Sequence, residues 1–443
     1  WAGFPVYLTV DLGKAEGSVL INGKEAKYKF RGDSGDLLLT DNAEASGRFE
    51  VRINSTRLDS AEKTSGSPRL FLTVEHLELR RYIMTAALLQ QYHRGERVAA
   101  QEEFEEKMWS AMKEGKAASL NEIIAEAQGR LPQLPEAAAK LPDVTLAGSS
   151  HIGTEWLWRY PETINLCRSA FSQAIRHLEK YPDFYFSHGQ ALAYWWMEQD
   201  DPALFAAIQQ AVRDGRWEIV GGTWVESDAN LSSGEALARQ FLYGKRYLKE
   251  KFGVEVKIAW MPDANGHPWS LPQILKKSGM SAYVFYRPWE TMRLFEWEGP
   301  DGSRVFGYRP PDWFNSRLTK EVRRYSHQAK KEFNWPNALR LFDIGEQSGG
   351  PTGYDIRLAE DLAYRPATPT VRMARTDGFF QELAGQSLTL PVHREEISPV
   401  FSGAWTSQAQ QKWGNRRSEM LLPAAEAFSL LAQPYGTIYA QTE

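Results

Sequence analysis

The sequence predicts a multi-domain α/β protein whose largest part is a barrel-like domain with mostly parallel strands. The chain has 443 residues, and a domain usually takes about 100 to 200, so several units are expected. Hydrophobic residues make up 42% and charged residues 24%, as in ordinary globular proteins. After Pro142, short apolar runs alternate with polar loops and amphipathic helices, which is typical of repeated β-α units.

Four segments are predicted along the chain. Residues 1–77 read as a small β-sandwich of short strands, with Asn22-Gly23 as a hairpin turn. Residues 78–142 change to helical periodicity and are interpreted as a connector. Residues 143–390 form the α/β domain, and residues 391–443 begin a helix bundle.

The α/β domain is predicted to contain eight strands, most of them followed by a helix. The strands are 144–150, 183–189, 217–222, 256–263, 282–287, 304–309, 338–345 and 370–375. The clearest helices are 164–180, 234–251 and 271–278. Such units imply parallel strands joined by right-handed crossovers.

Composition and charge exclude several classes of partner. The net charge is -4 and no run of Lys and Arg stands out, so no nucleic acid and no anionic membrane surface is expected as a partner. No stretch approaches the roughly 18 consecutive apolar residues that span a bilayer. Cys167 is the only cysteine, which excludes an internal disulfide and a thiolate zinc cluster. A neutral partner fits better, and a homo-oligomer is compatible with this composition.

Both ends of the chain look internal to a longer protein. The first residue is Trp1 rather than Met, and the chain stops at Glu443 soon after a helical pattern. We therefore expect further chain at each end, including a segment that covers the apolar face of the last helix. A signal peptide cannot be assessed from such a start; a soluble protein of the cytoplasm or periplasm is expected, with the cytoplasm favoured.

Polar and aromatic residues follow the predicted strands at their C-terminal ends, where α/β barrels and parallel sheets collect reactive groups. In chain order these residues are His151, Glu155, Trp156 and Trp158; His188 and Gln190; Trp224, Glu226 and Asp228; Asp263, Asn265, Gly266 and His267; Tyr286 and Arg287; and Glu346 and Gln347. A single carboxylate at a strand end is usually a helix cap or a surface charge. Four such loops in succession favour a functional rim.

Six blocks in these loops resemble, in order and spacing, those of glycoside hydrolase family 38, the α-mannosidases, over roughly residues 148–430. The blocks are HIGTEWLWRYPET at 151–163, GRWEIVGGTWVESDANLSSGEALARQ at 215–240, WMPDANGHPWSLPQI at 260–274, FEWEGPDGS at 295–303, GEQSGGPT at 345–352 and TSQAQQKWGNRRSE at 406–419. The first 75 residues also resemble the β-sandwich that precedes this domain in bacterial members.

The resemblance implies a zinc-dependent hydrolase of terminal α-mannosides that retains anomeric configuration through a covalent glycosyl-enzyme. Asp263 matches the family's nucleophile, which is also a zinc ligand there, and His151 matches a second zinc ligand. Glu346 stands where the family presents its acid/base residue. Trp156 would form a wall of the subsite for the cleaved sugar. The remaining residues that we assign to substrate binding are Glu226, Asp228 and Tyr286.

Two departures from the family pattern concern the metal and the acid. Gly153 stands where the family has a zinc-ligating Asp, so a weakened or incomplete zinc site is expected. The family's last zinc-binding His belongs to a motif that would lie beyond residue 443. Glu155 or His267 could substitute, although His267 could equally orient Asp263. At Glu346 the family has Asp, which places the carboxyl group one methylene further out here.

These features predict an enzyme whose partners are mannose-containing oligosaccharides. Two alternatives stay open. One is a degenerate family member that binds glycans without hydrolysis, which Gly153 favours. The other is an unrelated barrel hydrolase. Metal content and hydrolysis of an aryl α-mannoside would separate the three.

Overall fold

The structure is a computed structural model whose contacts divide the chain into two compact units. Unit 1 comprises residues 1–152, 169–186 and 315–374, and unit 2 comprises residues 153–168, 187–314 and 375–443. The structure describes residues 6–11, 15–21, 24–31, 34–40, 51–57, 69–74, 107, 110, 122–123 and 143–432, except 156–157, 289–291, 320–321, 334, 336, 344–348, 365–370 and 399–406.

Six strands of unit 1 precede the α/β part. They are β1 (Val6–Asp11), β2 (Ala15–Ile21), β3 (Lys24–Arg31), β4 (Ser34–Thr40), β5 (Val51–Arg57) and β6 (Arg69–Val74). They pair antiparallel in two sheets, ordered β4-β1-β6 and β3-β2-β5. The sequence predicts strands here at 4–12, 17–21, 25–30, 36–40 and 48–54; each overlaps one of β1 to β5, and β6 was not predicted. Their packing as a β-sandwich stays a prediction, and the predicted connector at 78–142 lies almost entirely outside the described residues.

The α/β part contains ten further strands and nine helices among the described residues. The strands are β7 (Asp143–Ser149), β8 (Phe186–His188), β9 (Trp217–Ile219), β10 (Ile258–Met261), β11 (Ala282–Phe285), β12 (Leu294–Glu298), β13 (Arg304–Tyr308), β14 (Asn337–Phe342), β15 (Val371–Met373) and β16 (Val392–His393). The helices are α1 (Tyr160–Lys180), α2 (Ala191–Asp200), α3 (Pro202–Arg213), α4 (Gly234–Phe252), α5 (Leu271–Lys277), α6 (Val322–Phe333), α7 (Gly353–Tyr364), α8 (Thr376–Ala384) and α9 (Ala409–Ala432).

In unit 1, β7 pairs with both β14 and β15, and both pairs are parallel. All six residues of β14 are buried, as expected for a parallel strand whose two faces are both covered. Four of the six residues in NALRLF are apolar, and the polar Asn337 accepts a hydrogen bond through Oδ1 from Thr145 Oγ1 at 3.1 Å. Residues that follow β7 and β14 therefore leave the sheet side by side.

In unit 2, a five-stranded sheet runs in the order β10-β11-β13-β12-β16. All its pairs are parallel except β12 with β13, which form a hairpin across residues 299–303. Strand β12 was not predicted, because its alternation LFEWE sits inside a segment interpreted as a motif loop. Its two outward carboxylates, Glu296 and Glu298, are both ion-paired with Arg304 of β13.

Helix boundaries follow from local sequence signals. The side chain of Ser233 accepts a hydrogen bond from the Ala236 backbone N–H at 3.1 Å, which caps the start of α4. Gly253 ends α4 in the left-handed conformation at φ 71°, which glycine adopts without strain.

The mixed α/β class with largely parallel pairing is confirmed, and all eight strands predicted in residues 143–390 overlap observed strands. The predicted helices at 164–180, 234–251 and 271–278 correspond to α1, α4 and α5. The pairings among the described residues form open sheets, so closure into a barrel stays a prediction. The start of a helix bundle after residue 391 also stays a prediction.

Candidate functional site

Asp263 occupies the second position after β10, at the C-terminal end of the unit 2 sheet. Its backbone N–H donates to Glu226 Oε1 at 2.9 Å, which fixes the chain where it leaves the strand. Its side chain is 40% exposed, and Oδ1 accepts a hydrogen bond from Arg287 Nε at 2.7 Å. A carboxylate that is fixed at the backbone yet open to solvent can meet a substrate.

The register of the sheet explains why Arg287 meets Asp263. Strands β10 and β11 are parallel with Met261 opposite Phe285, so the second residues beyond each strand are neighbours. The contact between Arg287 and Asp263 is a charge-assisted hydrogen bond, which is stronger than one between neutral groups. On its other side the guanidinium carbon lies 4.6 Å from the centroid of the Trp313 ring, a cation–π contact.

Glu226 connects Asp263 to the loop after β8. Its backbone N–H donates to Gln190 Oε1 at 3.2 Å. Gln190 has a positive φ of 65°, which a non-glycine residue rarely adopts. Gly221 and Gly222, at φ 83° and 76°, turn the chain between β9 and Glu226. Hydrogen bonds thus connect three predicted rim residues in a chain, from Gln190 to Glu226 and from Glu226 to Asp263.

His267 is fully buried behind this rim. Its Nε2 lies 2.8 Å from the carbonyl oxygen of Arg287, and its Nδ1 lies 2.6 Å from the hydroxyl of Tyr283. Burial lowers the pKa of His267 to about 4. Backbone bonds of 3.0 and 2.9 Å with Ile397 hold the same residue on its other side. Both ring nitrogens are thus occupied, which argues against His267 as a substitute metal ligand.

Tyr286 lies in a half-buried aromatic group at the same strand ends. Its ring meets the Trp313 ring edge-on at 4.9 Å between centroids, and the Arg309 guanidinium carbon lies 5.9 Å from the Tyr286 ring. Aromatic side chains with one apolar face and a polar edge suit the apolar faces of sugars. The substrate role predicted for Tyr286 stays a prediction.

Two other acidic residues of the predicted rim, Glu155 and Asp228, form hydrogen bonds with residues close to them in sequence. Glu155 is exposed, and its Oε1 accepts a hydrogen bond from the Tyr160 backbone N–H at 2.9 Å, which caps the start of α1. Asp228 is half-buried and opens a turn, because its carbonyl accepts from Leu231 and Ser232 at 3.0 and 3.1 Å. Glu155 thus acts as a helix cap in the structure, and its role as a substitute zinc ligand stays a prediction. The substrate role of Asp228 also stays a prediction.

His151 belongs to unit 1, where it follows β7. Its backbone N–H donates to Asp343 Oδ2 at 3.2 Å, and Asp343 is 1% exposed at the end of β14. Parallel pairing of Gly148 with Phe342 brings the two residues together. The imidazole of His151 is only partly buried and stays a candidate ligand.

The predicted zinc ligands can be compared with the donors that the structure describes. Within the described residues, no group of three or more His, Cys, Asp and Glu side chains could hold a metal ion. Zinc is usually held by three or four protein ligands, so the described donors do not fit a complete site. Gly153 leaves open space, since a Cβ built there would meet no described atom within 4 Å.

Two predicted site residues, Trp156 and Glu346, lie outside the described residues. Three residues of the site were not assigned a role from sequence: Arg287, Trp313 and Asp343. Arg287 was placed on the rim from sequence, at the end of the strand that follows that of Asp263, but its pairing with Asp263 was not predicted. Trp313 gave no such signal, since it is one of sixteen tryptophans. Asp343 directly follows β14, whereas the strand predicted at 338–345 placed it inside the strand rather than at its end.

No helix among the described residues is long and apolar enough to cross a membrane.

Comparison with known proteins identifies relatives for the α/β part. α-Mannosidase G of Dictyostelium discoideum is 34% identical over 292 residues, which are 64% of this chain and 27% of that protein. α-Mannosidase 2C1 of Homo sapiens is 33% identical over 294 residues, which are 64% of this chain and 28% of that protein. The chain thus spans little more than a quarter of the length of these relatives. Both are eukaryotic, so the bacterial character predicted from residues 1–75 stays a prediction.

A crystal structure of an α-mannosidase from Enterococcus faecalis is also similar, with a TM-score of 0.49 and 20% identity over 58% of this chain and 31% of that one. The family model for the N-terminal domain of the glycosyl hydrolases family 38 matches residues 142–403, more than half of the chain. This chain therefore belongs to glycosyl hydrolases family 38, as its motifs predicted.

Proposed function

We propose that the chain supplies the nucleophile and acid/base residues of a retaining hydrolase of terminal α-mannosides. The carrying observation is Asp263: a carboxylate at a strand end, 40% exposed, held by Arg287 at 2.7 Å and anchored through its own N–H to Glu226. Family membership and relatives named α-mannosidase support mannose-containing oligosaccharides as substrates.

In the proposed reaction an oxygen of Asp263 attacks the anomeric carbon while the bond to the leaving oxygen breaks and Glu346 gives that oxygen its proton. Glu346, now a carboxylate, then takes a proton from water, whose oxygen attacks the same carbon and releases Asp263. Two inversions give net retention. Because Arg287 engages Oδ1, we assign the attack to Oδ2. The guanidinium keeps the carboxylate in one orientation and receives it back after the second step.

Substrate contacts in this proposal come from the residues around Asp263. Tyr286 and Trp313 offer aromatic surface to a sugar ring, since their rings meet at 4.9 Å beside Arg287. Glu226, Asp228 and Trp156 are proposed to bind sugar hydroxyls and faces, as assigned from sequence. We further propose a bacterial-type member that acts in the cytoplasm or periplasm, on the resemblance of residues 1–75.

The proton donor is tested by its dependence on the leaving group. In Glu346→Gln, hydrolysis of natural mannosides should fall by about 100-fold or more, whereas an activated aryl mannoside needs little protonation and should lose far less. Steady-state rates for a series of aryl α-mannosides measure this dependence. Equal losses for all leaving groups would assign the acid role to another residue, with Asp228 next in line.

Zinc is proposed as a cofactor whose site is weakened by Gly153. His151 and Asp263 are donors of types that zinc binds, but two protein ligands do not complete a site. No step above depends on the metal. Its chemistry, when bound, would be to hold sugar hydroxyls and favour the ionised Asp263. We expect readily chelated zinc in the full-length protein and higher zinc content in Gly153→Asp, both measured by metal analysis. Tight stoichiometric zinc that the substitution leaves unchanged would show that another residue fills the position.

A second candidate function is glycan binding without hydrolysis, which Gly153 favours. Calorimetric binding of mannose or an α-mannoside with no turnover, even of activated substrates, would support it. Measurable turnover that depends on Asp263 would exclude it.

A further inference from the structure

We propose that His267 and Tyr283 are positioning residues for the reaction: together they fix the backbone of Arg287 and so the guanidinium that orients Asp263. This inference rests on the proposed function, because it assumes that Asp263 is the nucleophile. Neither residue is placed against substrate.

The hydrogen bonds determine which nitrogen of His267 carries the proton. The carbonyl oxygen of Arg287 can only accept, so Nε2, at 2.8 Å, must be the donor. Nδ1 of the neutral ring is then an acceptor, and the Tyr283 hydroxyl donates to it at 2.6 Å. The two contacts support each other, because the Arg287 carbonyl requires the tautomer with a proton on Nε2 and the Tyr283 hydroxyl satisfies the lone pair that this tautomer leaves on Nδ1.

The surroundings keep this ring buried and uncharged near neutral pH. His267 and Tyr283 are both 0% exposed, and burial keeps the pKa of His267 near 4, so the neutral form persists. The Tyr283 ring is itself stacked against Phe285 and Trp297, with ring centroids 5.7 and 5.6 Å away. The hydroxyl that reaches Nδ1 is therefore fixed by β11 and β12.

Arg287 is held at both of its ends. His267 holds its carbonyl, Trp313 lies against the guanidinium at 4.6 Å, and Nε reaches Asp263 at 2.7 Å. A shift of the Arg287 backbone would move Nε away from Oδ1 and turn the nucleophile. Misplacement by about 1 Å can lower a rate about 100-fold without weakening ground-state binding.

The proposal is tested with Tyr283→Phe, which keeps the stacked ring and removes only the hydroxyl. For an aryl α-mannoside, kcat should fall about 10-fold or more with KM nearly unchanged, because geometry at the nucleophile is lost rather than substrate contacts. Tyr247→Phe is the matched control, since it also removes a tyrosine hydroxyl and keeps the ring. That hydroxyl donates to Glu198 at 2.8 Å and does not contact Asp263 or Arg287. Tyr247→Phe should lower stability but leave kcat unchanged.

A second pair of variants separates positioning from packing. In His267→Gln the amide can still donate to the Arg287 carbonyl, so kcat should be partly retained, whereas His267→Leu should lose it. The positioning role would be overturned if Tyr283→Phe kept full kcat and the two His267 variants had equal kcat. If Asp263→Asn were inactive in the same assays, the proposed function would still stand. Full activity of Asp263→Asn would overturn both.

Discussion

Glu218 and Asp263 are two carboxylates of unit 2 that occupy opposite environments. Glu218, in β9, is buried and accepts hydrogen bonds from Ser187 Oγ at 2.7 Å and from the backbone N–H groups of Thr376 and Asp377 at 2.8 Å each. Asp263 is 40% exposed and is held by the cationic Arg287. Glu218 lies within β9 and Asp263 lies just after β10, in two different sheets, and only Asp263 is exposed enough to meet a substrate.

The two carboxylates differ in the hydrogen-bond donors that they accept from. Glu218 accepts from the first backbone N–H groups of α8, which have no partners inside the helix, and so joins β9 to that helix. Desolvation raises the pKa of Glu218, and the hydrogen bonds from Thr376 and Ser187 oppose this rise. A carboxylate used in this way serves the fold. Exposure combined with one directional cation, as at Asp263, leaves an oxygen for chemistry.

The largest expected effect is on catalysis. Asp263→Asn should lower kcat/KM for an aryl α-mannoside by about 10,000-fold, because the amide is a poor nucleophile. Glu218→Gln, the matched change in the other environment, should stay within about 3-fold of wild type, since it touches no reacting group. Steady-state kinetics measures both. Circular dichroism should show a native fold in each variant, and comparable losses would remove the distinction between the two carboxylates.

How far the sequence predicted this site depends on the kind of contact. Asp263 and Glu226 were found because strand ends and motif spacing are local properties of the sequence. The pairing of Asp263 with Arg287 depends on the parallel register of β10 and β11, which no local pattern specifies. Glu218 was passed over because it lies inside a predicted strand, where its partners come from residues 187 and 376–377.

The fold shows the same division. Strands rich in apolar residues, such as β14, were predicted, whereas β12 was missed because LFEWE lies in a segment interpreted as a motif loop. The positions of Trp156 and Glu346 lie outside the described residues, so their roles rest on the family motifs.

The next effect is on stability, where substitution of Glu218 should be more damaging than substitution of Asp263, the reverse of the order expected for catalysis. Glu218→Ala leaves the buried donors of Ser187, Thr376 and Asp377 without their acceptor, which should lower the free energy of unfolding by about 3 kcal/mol. Asp263→Ala should change it by about 1 kcal/mol or less, because a partly exposed ion pair contributes little. Urea unfolding of both variants measures the difference. A larger loss in Asp263→Ala would contradict the assignment of Glu218 to the fold.

A smaller effect concerns pH and the residue behind Asp263. Burial lowers the pKa of His267 from 6.5 to about 4, so between these pH values the unfolded chain binds more protons than the folded one. The free energy of unfolding should therefore rise with pH across this window. The contribution of about 3 kcal/mol is complete above pH 6.5 and lost near pH 4.

His267→Gln cannot titrate and should lack this part of the pH dependence. Unfolding of wild type and variant at pH 7.5 and 4.5 tests it: the stability difference between them should shrink at the lower pH. A constant difference would show that His267 is not held neutral in the folded protein.

The most direct test of the account is to trap the covalent intermediate. A slow fluorinated mannosyl inactivator should leave one mannosyl group on the full-length protein, and peptide mass spectrometry should locate it on Asp263. Glu218→Gln should be labelled at the same residue, and Asp263→Asn should not be labelled. An adduct on Asp228, or turnover of the inactivator with labelling of another residue, would contradict the assignment of Asp263 as the nucleophile.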